Sequence, residues 1–248
     1  MIGVIILAAG NGTRYGKMKQ FETVLGKQVL EHTIDIYEDL ADEVVVVLPD
    51  HYANDKHKFV TGGKTRFESI CKGFLALPSC NKIILADAVR CNTPKRMVLE
   101  IIEYLDSYNL VYPALPSIET QVSITPEYVE FHDKSIMYTL QTPTGVTHYT
   151  LGLILGSCSE DDGFSLAYLA WKKGVKCIKR IDGDSRNIKI TYPEDLVIME
   201  KIKEQQEYLN KLAADFKHID DVIHENIMGP VPEKLKGLAC RYQTVKEP

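Results

Sequence analysis

Three runs of the chain are apolar at almost every position: Ile2–Ala8, Glu43–Leu48 and Lys82–Ala86. A strand without alternation between apolar and polar positions is buried on both faces, as it is in a parallel sheet that helices cover. We therefore predict three buried strands. Other segments that we also predict as strands are His57–Val60, Leu110–Leu115 and Lys176–Ile181.

Segments with helical spacing separate these runs. In Val29–Leu40, for example, Leu30, Ile34 and Tyr37 fall on one side of a helix. The other predicted helices are Thr65–Leu77, Pro94–Tyr104, Ser165–Gly174 and Pro193–Leu212. Strands that alternate with helices predict an α/β fold, with a mostly parallel sheet and helices on both of its faces. Ligands of such sheets bind at the carboxyl ends of the strands.

The segment from about 116 to 141 follows another pattern. Apolar and polar residues alternate in Val122–Ile124, Tyr128–Phe131 and Ile136–Leu140, and turn residues lie between them, which predicts β-hairpin pieces. We interpret this segment as a β-arm inserted into a domain of residues 1–213. The periodic pattern weakens after Ala213, so we predict that 214–248 form a loosely attached tail.

Composition narrows the function classes. The 248 residues carry a net charge of −5, so no overall positive field attracts nucleic acid or an anionic membrane surface. No apolar run is long enough to span a bilayer. The six cysteines include no C-x-x-C pair, and Met1–Leu7 lacks the basic leader of a signal peptide. We expect a cytoplasmic protein that has no nucleic-acid or membrane partner.

The first candidate for chemistry is the loop after the first strand. Gly10 and Gly12 allow the backbone to approach a ligand and to direct N–H groups at phosphate oxygens. Arg14 and Lys19 follow closely and can neutralise a triphosphate from two sides. The spacing matches neither the P-loop nor the dinucleotide-binding motif. The alternative is an ordinary turn between strand and helix with surface cations.

Two more candidates follow later strands. The Gly62-Gly63 corner, with Lys64 and Ser69 behind it, offers bare backbone that can read a base edge, although it also fits a helix start capped by Thr65. Asp87 directly follows the third buried strand, where a carboxylate suits Mg²⁺ held against phosphates. The alternative for Asp87 is a helix-capping residue.

The fourth candidate is Lys189, in the segment Asn187-Ile188-Lys189-Ile190-Thr191. Its ammonium can add a second cation at the α-phosphate. The alternative is a solvated lysine at a strand end. Pro193, two residues after this segment, suits the first turn of a helix.

The order of these motifs resembles one enzyme family. The motifs are A-A-G-x-G-x-R, K-Q, G-G-x-x-R-x-x-S, D-A-x-R, Q-T-P, N-I-K-I-T and P-E-D-L, between Met1 and about Glu200. Together they are similar to the cytidylyltransferases that act on 2-C-methyl-D-erythritol 4-phosphate and to their relatives that act on ribitol 5-phosphate. The resemblance implies a Rossmann-like fold, CTP as substrate, Mg²⁺ as cofactor and a homodimer through the β-arms.

The resemblance also implies roles for individual residues. Arg14, Lys19 and Lys189 would hold and polarise the triphosphate as the catalytic cations. The implied nucleotide-binding residues are Ala8, Ala9, Gly10, Gly12, Gly63, Lys64, Ser69, Asp87 and Ala88, with Asp87 at the metal. On the arm, Ser117 and Lys134 would bind the phosphate of the acceptor, partly across the dimer.

The expected reaction is transfer of CMP from CTP to a small phosphorylated alcohol, with release of pyrophosphate. The acceptor side departs from the family, since Lys134 stands for an arginine and Glu160-Asp161-Asp162-Gly163 replaces an expected T-D-[DE]-A. We therefore expect a polyol phosphate first and a phosphate with a cationic group second. The simpler alternative is tolerated variation around methylerythritol phosphate. Two rival functions are a nucleotidyltransferase of this fold with another nucleotide or a sugar phosphate, and a non-catalytic binding relative.

Overall fold

A computed structural model of the protein describes residues 1–50, 52, 58–158 and 165–223. The strands are β1 (Ile2–Leu7), β2 (Thr23–Val24), β3 (Lys27–Gln28), β4 (Glu43–Leu48), β5 (Lys58–Thr61), β6 (Lys82–Asp87), β7 (Leu110–Pro116), β8 (Val122–Ile124), β9 (Val129–Phe131), β10 (Tyr138–Leu140), β11 (Thr144–Thr147) and β12 (Ile178–Asp182). The helices are α1 (Val29–Glu38), α2 (Arg66–Leu75), α3 (Lys95–Tyr104), α4 (His148–Ser157), α5 (Leu166–Lys172) and α6 (Pro193–Ile223).

Eight strands form one sheet in the order β10-β7-β11-β6-β1-β4-β5, and β12 also pairs with β7. The pairs β1–β4, β1–β6, β4–β5 and β7–β12 are parallel, whereas β11 and β10 add antiparallel pairs. At the centre, Ile5 lies between Val45 and Leu85. The three runs predicted to be buried strands are therefore β1, β4 and β6, as expected.

Helices cover both faces of this sheet. Val4 and Ile6 point to one face, where they join residues of α1 and α3 such as Ile34 and Ile101. The intervening Ile5 belongs to the opposite cluster, which α2, α4 and α5 complete with Ile70, Leu151, Ile154, Leu166 and Leu169. Alternate side chains of each strand thus contribute to two apolar layers. The predicted α/β class with helices on both faces is confirmed.

The strand β11 and the helix α4 were not among the predicted elements. β11 is short and contains Gly145, whose missing side chain is required because a Cβ there would lie 2.2 Å from Ile101 Cγ2. α4 contains the run Leu151–Gly156, which lacks the one-sided apolar spacing that marks a surface helix. Both elements take their place from tertiary packing against β6 and β7 rather than from a local pattern.

The predicted arm contains one hairpin, in which β8 and β9 pair antiparallel with Val122 opposite Phe131. A 3-10 turn at Lys134–Ile136 follows. The third piece, β10, instead joins the main sheet beside β7. Alternation along β10 therefore reflects pairing with the edge of the domain, which a local pattern cannot distinguish from a second hairpin strand.

The chain divides into two compact units, Met1–Glu200 and Lys201–Pro248. The described part of the second unit is helical and continues α6 to Ile223, eleven residues beyond the predicted end at Leu212. The extension has a local cause, because no Gly or Pro interrupts 194–228. The predicted boundary at 213 and tail of 214–248 stay predictions, and residues 224–248 lie outside the described part. No helix in the described ranges is long and apolar enough to cross a bilayer.

Candidate active site

A cavity of about 830 Å³ opens at the carboxyl ends of β1, β5 and β6. Twelve residues of its wall are those expected on the nucleotide side: Ala8, Ala9, Gly10, Gly12, Arg14, Lys19, Gly63, Lys64, Ser69, Asp87, Ala88 and Lys189. They come from four separate segments of the sequence. The parallel strands β1, β4, β5 and β6 bring the first three segments together, because the ends of neighbouring parallel strands meet at one edge of the sheet. Lys189 reaches the same cavity on the loop after β12.

Gln20 is buried and supports the glycine loop, the loop of Gly10 and Gly12 that follows β1. Its amide nitrogen donates hydrogen bonds to the carbonyl oxygens of Ala8 at 2.7 Å and Gly10 at 3.0 Å. Gly12 has a φ of +65°, and a Cβ there would lie 1.9 Å from the carbonyl oxygen of Lys17. The loop conformation therefore requires glycine at 12. The K-Q motif contained Gln20, although its role was not predicted.

At the second glycine corner the structure shows the helix start that the sequence offered as one of two alternatives. The hydroxyl of Thr65 accepts a hydrogen bond from the backbone N–H of Glu68 at 3.1 Å, so Thr65 does cap α2. The backbone N–H of Gly63 donates to Ser69 Oγ at 3.1 Å. A Cβ at Gly62 would lie 2.4 Å from the Cβ of Ala9, so the bare backbone lets the two loops of the cavity approach each other.

Positive charge is concentrated on the cavity wall. Arg14 is exposed and Lys19 is half-buried. Burial lowers the pKa of Lys19, and the neighbouring charges of Lys189 and Arg14 lower it further. This repulsion acts on Lys19 from both neighbours. An anionic ligand between them would relieve it.

Asp87 is the carboxylate at the centre of the site and is only 6% exposed. Its Oδ1 accepts a hydrogen bond from Arg66 at 2.9 Å, and its Oδ2 accepts one from Lys189 at 2.9 Å and one from Thr142 at 3.2 Å. Burial alone would raise the pKa of Asp87, but the charges of Arg66, Lys189 and Arg90 outweigh it and hold the pKa well below its usual range. Asp87 is thus ionised and bonded to side chains.

A smaller cavity of about 260 Å³ adjoins the first. The two share Arg66, Asp87 and Lys189. The other residues on the wall of the smaller cavity are Leu85, Arg90, Leu140, Gln141, Thr142, Thr144, Ser165 and Leu166. Its polar and cationic residues adjoin a leucine wall. A cavity with both kinds of wall suits a small molecule that has a phosphate group and a carbon chain.

Arg90 has the most informative environment in the smaller cavity. Its side chain is largely buried, and its NH1 donates to the carbonyl oxygen of Asn187 at 2.5 Å. Its Nε has no hydrogen-bond partner among the described residues and lies 4.0 Å from Asp87 Oδ2. A buried donor without a hydrogen-bond partner is unusual in a folded protein, and the nearby Asp87 carboxylate gives Arg90 only a longer ionic contact. Neither Arg66 nor Arg90 was predicted as a site residue, although both lie in the quoted motifs.

The loop that carries Lys189 is fixed by a polar network. The carboxylate of Asp184 accepts hydrogen bonds from Arg96 at 2.8 Å and from Arg186 at 2.8 Å and 3.0 Å. Gln141 donates to the carbonyl oxygen of Asp184 and accepts from its N–H. Bonding to Arg186 is the main reason that the pKa of Asp184 lies below its usual range. These contacts anchor the loop that carries Lys189.

The two residues expected to bind the acceptor lie elsewhere in this chain. Ser117 is buried, and its hydroxyl donates to the carbonyl oxygen of Glu119 at 2.9 Å and accepts from Gln121 at 3.0 Å. Lys134 is exposed on the 3-10 turn of the arm. Neither lines the two cavities described above.

Residues 2–205 match the sequence model of the family described as IspD, 2-C-methyl-D-erythritol 4-phosphate cytidylyltransferase. The chain belongs to this family. It is 30% identical over 214 residues to the 2-C-methyl-D-erythritol 4-phosphate cytidylyltransferase of Aquifex aeolicus, which covers 82% of this chain and 97% of that protein. The chain is therefore a cytidylyltransferase, and its nucleotidyltransferase class is confirmed.

The name of a second relative differs from the name of the family. The bifunctional ribulose 5-phosphate reductase/CDP-ribitol pyrophosphorylase Bcs1 of Haemophilus influenzae is 30% identical over 237 residues, which are 83% of this chain and 49% of that protein. This IspD-family chain thus spans about half of Bcs1.

Solved structures agree with the fold. The 4-diphosphocytidyl-2C-methyl-D-erythritol synthase of Anaerococcus prevotii superposes with a TM-score of 0.70 at 26% identity, over 82% of this chain and 98% of that one. The 2-C-methyl-D-erythritol 4-phosphate cytidylyltransferase of Thermus thermophilus gives 0.69 at 28% identity, over 81% and 97%. The Rossmann-like fold expected from the motifs is confirmed.

The buried carboxylate predicts a pH-dependent stability. Replacing Asp87 by Asn should lower the free energy of unfolding at pH 7 by about 1–3 kcal/mol, because Arg66 and Lys189 lose their charged acceptor. Since the folded pKa of Asp87 is depressed, its contribution is complete above the unfolded pKa of about 3.9 and is lost as pH falls toward the folded pKa. The difference between the two proteins should therefore narrow by about 1 kcal/mol from pH 5 to pH 3.

Denaturant titrations of both proteins at a series of pH values measure this difference. Asp50→Asn is the matched control, since Asp50 is an exposed carboxylate on the wall of the larger cavity. It should change stability by less than about 0.5 kcal/mol. A stability difference for Asp87→Asn that does not vary between pH 5 and pH 3 would contradict the assignment.

Proposed function

We propose that the protein transfers CMP from CTP to a small phosphorylated polyol and releases pyrophosphate. The observation that carries this proposal is the meeting of two cavities at Asp87, Arg66 and Lys189. The larger cavity has the volume and the cations for a nucleoside triphosphate, and the smaller one suits the acceptor. A group transferred between the two ligands would pass through their shared wall.

The larger cavity supports specific roles on the nucleotide side. Backbone N–H groups around Gly10 and Gly12 would face phosphate oxygens, and Ala8 and Ala9 would line the same loop. Arg14, Lys19 and Lys189 would neutralise the triphosphate. In addition, Gly63, Lys64 and Ser69 would face the cytosine, and Ala88 would lie beside the ribose.

The reaction requires no nucleophilic side chain. A phosphate oxygen of the acceptor attacks the α-phosphorus of CTP in line, a new phosphorus–oxygen bond forms, and the bond to the bridging oxygen breaks with its electron pair leaving on pyrophosphate. Negative charge shifts toward the leaving group during this step. Preorganised cations on the cavity wall would stabilise that charge, so that catalysis consists of positioning and electrostatics.

Nucleotidyltransferases of this family generally depend on a divalent metal, and we propose Mg²⁺. The described residues of the chain contain no group of three His, Cys, Asp or Glu that could hold a metal. Mg²⁺ is often bound by one carboxylate together with substrate phosphates. The ionised Asp87 supplies that carboxylate, and the bound ion would supply charge neutralisation at the phosphates.

The smaller cavity supports binding of the acceptor phosphate near Arg90. The buried Nε of Arg90 would gain a hydrogen-bond acceptor, and Thr142 would add a hydroxyl. Ser117 and Lys134 would reach this phosphate only from the arm of a second copy, since neither lines a cavity in its own chain.

Two acceptors fit this space. The first is a straight-chain polyol phosphate such as ribitol phosphate, favoured by the similarity to Bcs1 and by Lys134, which offers a point charge instead of the two-pronged grip of an arginine. The second is methylerythritol phosphate, favoured by the name of the Aquifex relative and by the leucine wall of the smaller cavity. We place the polyol phosphate first.

We also propose a homodimer through the β-arm. The hairpin exposes Ile124 and Phe131, and a two-stranded hairpin alone is marginal in water. A second copy would cover this apolar surface. We further propose a cytosolic location, which fits the finding that Cys71, Cys80, Cys91, Cys158 and Cys177 are free thiols.

Lys19 tests the charge-stabilisation mechanism. Lys19→Ala should lower kcat/KM by about a hundredfold or more, because a preorganised cation is lost where charge develops. The control is Lys17→Ala, since Lys17 is exposed, pairs with Glu22 at 2.7 Å and lines neither cavity. Steady-state release of pyrophosphate measures both variants. Equal turnover of the two folded variants would refute this role for Lys19.

A competition assay tests the acceptor. CTP is supplied with equal amounts of ribitol phosphate, glycerol phosphate, methylerythritol phosphate and an amino-bearing phosphate, and the CDP-linked products are separated. We expect the highest kcat/KM for ribitol phosphate. A parallel panel of ATP, GTP, UTP and CTP should give product with CTP alone. A wide margin for methylerythritol phosphate would establish the second candidate instead.

Light scattering tests the arm. The protein should have twice its chain mass of 28.0 kDa at micromolar concentration. Phe131→Glu should raise the dissociation constant of the dimer by at least about tenfold, because a charge replaces an apolar contact. Leu99→Glu, an exposed leucine on α3, is the control and should have no such effect. A monomeric protein, or equal dissociation constants for the two variants, would disprove an arm interface.

A further inference from the structure

A small apolar cluster lies apart from the two layers that cover the sheet, and we call it the third cluster. Its members come from the loops after β1, β6 and β12, from β2, and from the helices α1 and α6. All three of these loops also carry cations of the two cavities. The buried members are Tyr15, Val24, Val29, Val89, Cys91, Ile190 and Met199.

The third cluster joins the segments of two site cations. Val89 directly precedes Arg90, and Ile190 directly follows Lys189. Both apolar side chains are buried in this cluster, and the backbone N–H of Ile190 donates to the carbonyl oxygen of Val89 at 3.0 Å. The backbones that carry Arg90 and Lys189 are therefore held to each other on the side away from the ligand.

Tyr15 brings the loop of Arg14 into the same cluster. Within residues 11–19 Tyr15 is the only buried residue, with 8% of its surface exposed. Its backbone N–H donates to the carbonyl oxygen of Gly12 at 2.9 Å, which closes a turn around Arg14. In the part of the chain that the structure describes, no hydrogen bond or ion pair holds the guanidinium of Arg14. Arg14 therefore takes its position from its backbone, and Tyr15 anchors that backbone.

We propose that Tyr15 is a positioning residue, which holds this loop against the third cluster and thereby keeps the guanidinium of Arg14 beside the triphosphate. This role rests on the proposed contact between Arg14 and CTP. Tyr15 lines neither cavity, so it reaches the triphosphate only through the loop. A cation on an unanchored loop keeps its charge, but its distance from the phosphates varies, and the stabilisation of charge falls with that distance.

The aromatic ring of Tyr15, rather than its hydroxyl group, carries this role. Burial raises the pKa of Tyr15, and the carboxylate of Glu22 raises it further, so the phenol is neutral at pH 7. A neutral ring in an apolar cluster contributes through packing. Tyr15→Phe should therefore keep kcat/KM within about twofold of the unaltered protein, whereas Tyr15→Ala should lower it about ten- to hundredfold.

A double-mutant cycle tests whether Tyr15 acts through Arg14. Release of pyrophosphate from CTP is measured for the unaltered protein, Tyr15→Ala, Arg14→Ala and the double variant, with the acceptor that the competition assay favours. Once Arg14 is absent, Tyr15→Ala should change kcat/KM by less than about twofold, because the group that it positions is gone. Tyr104→Ala is the control, since Tyr104 on α3 is partly buried and lines neither cavity, and it should stay within about twofold of the unaltered protein.

Trypsin digestion measures the anchoring without any assay of activity. Cleavage after Arg14 requires the loop to leave its folded position, so its rate reports local opening. The rate should be at least about tenfold higher in Tyr15→Ala than in Tyr15→Phe, while circular dichroism shows both variants folded. If Tyr15→Ala does not fold, Tyr15→Leu replaces it, and the same direction is expected for kcat/KM and for cleavage.

Several results would overturn the proposal. Equal cleavage rates in the two variants, or normal kcat/KM in Tyr15→Ala, would show that Tyr15 does not anchor the loop. The same fractional loss with and without Arg14 would make Tyr15 a general structural residue and would leave the proposed function intact. Full activity of Arg14→Ala would instead refute the proposed contact of Arg14 with CTP, and the positioning role would fall with it.

Discussion

Crowded positive charge is the constraint on which this site depends. Seven cations lie around two adjoining cavities, and their mutual repulsion opposes folding: Arg14, Lys19, Lys64, Arg66, Lys72, Arg90 and Lys189. A single buried carboxylate, Asp87, offsets much of that repulsion by accepting hydrogen bonds from Arg66 and Lys189. The offset is incomplete, since the pKa of Lys19 stays depressed by its cationic neighbours as well as by burial. The remaining positive charge is the part that an anionic substrate can use.

The cations keep their positions because the segments that carry them are held rigidly outside the cavities. Lys189 lies on a loop that hydrogen bonds between Asp184 and Gln141 attach to the sheet. The carboxylate of Asp184 also accepts hydrogen bonds from two arginines. Arg90 is tied to the same loop through the carbonyl oxygen of Asn187. The cations are therefore positioned by bonds to backbone and to buried polar groups rather than by surface side-chain packing. Such positioning is what allows electrostatic stabilisation without reorganisation during a reaction.

The sequence predicted much of the wall of the larger cavity because that wall is built from local signals. Apolar runs identified β1, β4 and β6, and the motifs near their ends, together with the family resemblance, predicted twelve of the residues that line the larger cavity. The smaller cavity escaped prediction for a physical reason. It is formed by contacts between distant positions, such as Thr142 with Asp87 and Arg90 with Asn187, which are 55 and 97 residues apart. β11 and α4 were missed in the same way, since packing rather than periodicity places them.

Gln20 has one further consequence for the glycine loop. In a trans peptide the N–H and the C=O point in opposite directions. Because Gln20 draws the carbonyl oxygens of Ala8 and Gly10 toward itself, the N–H groups of Ala9 and Asn11 in those peptides must point away from it. A neutral amide below the loop thus orients its dipoles, so that the electrostatic character of this surface is set by a residue that is itself out of contact with solvent. An acceptor-only side chain of the same shape could donate to neither carbonyl oxygen, so it would remove this orienting interaction although no charged group of the cavity had moved.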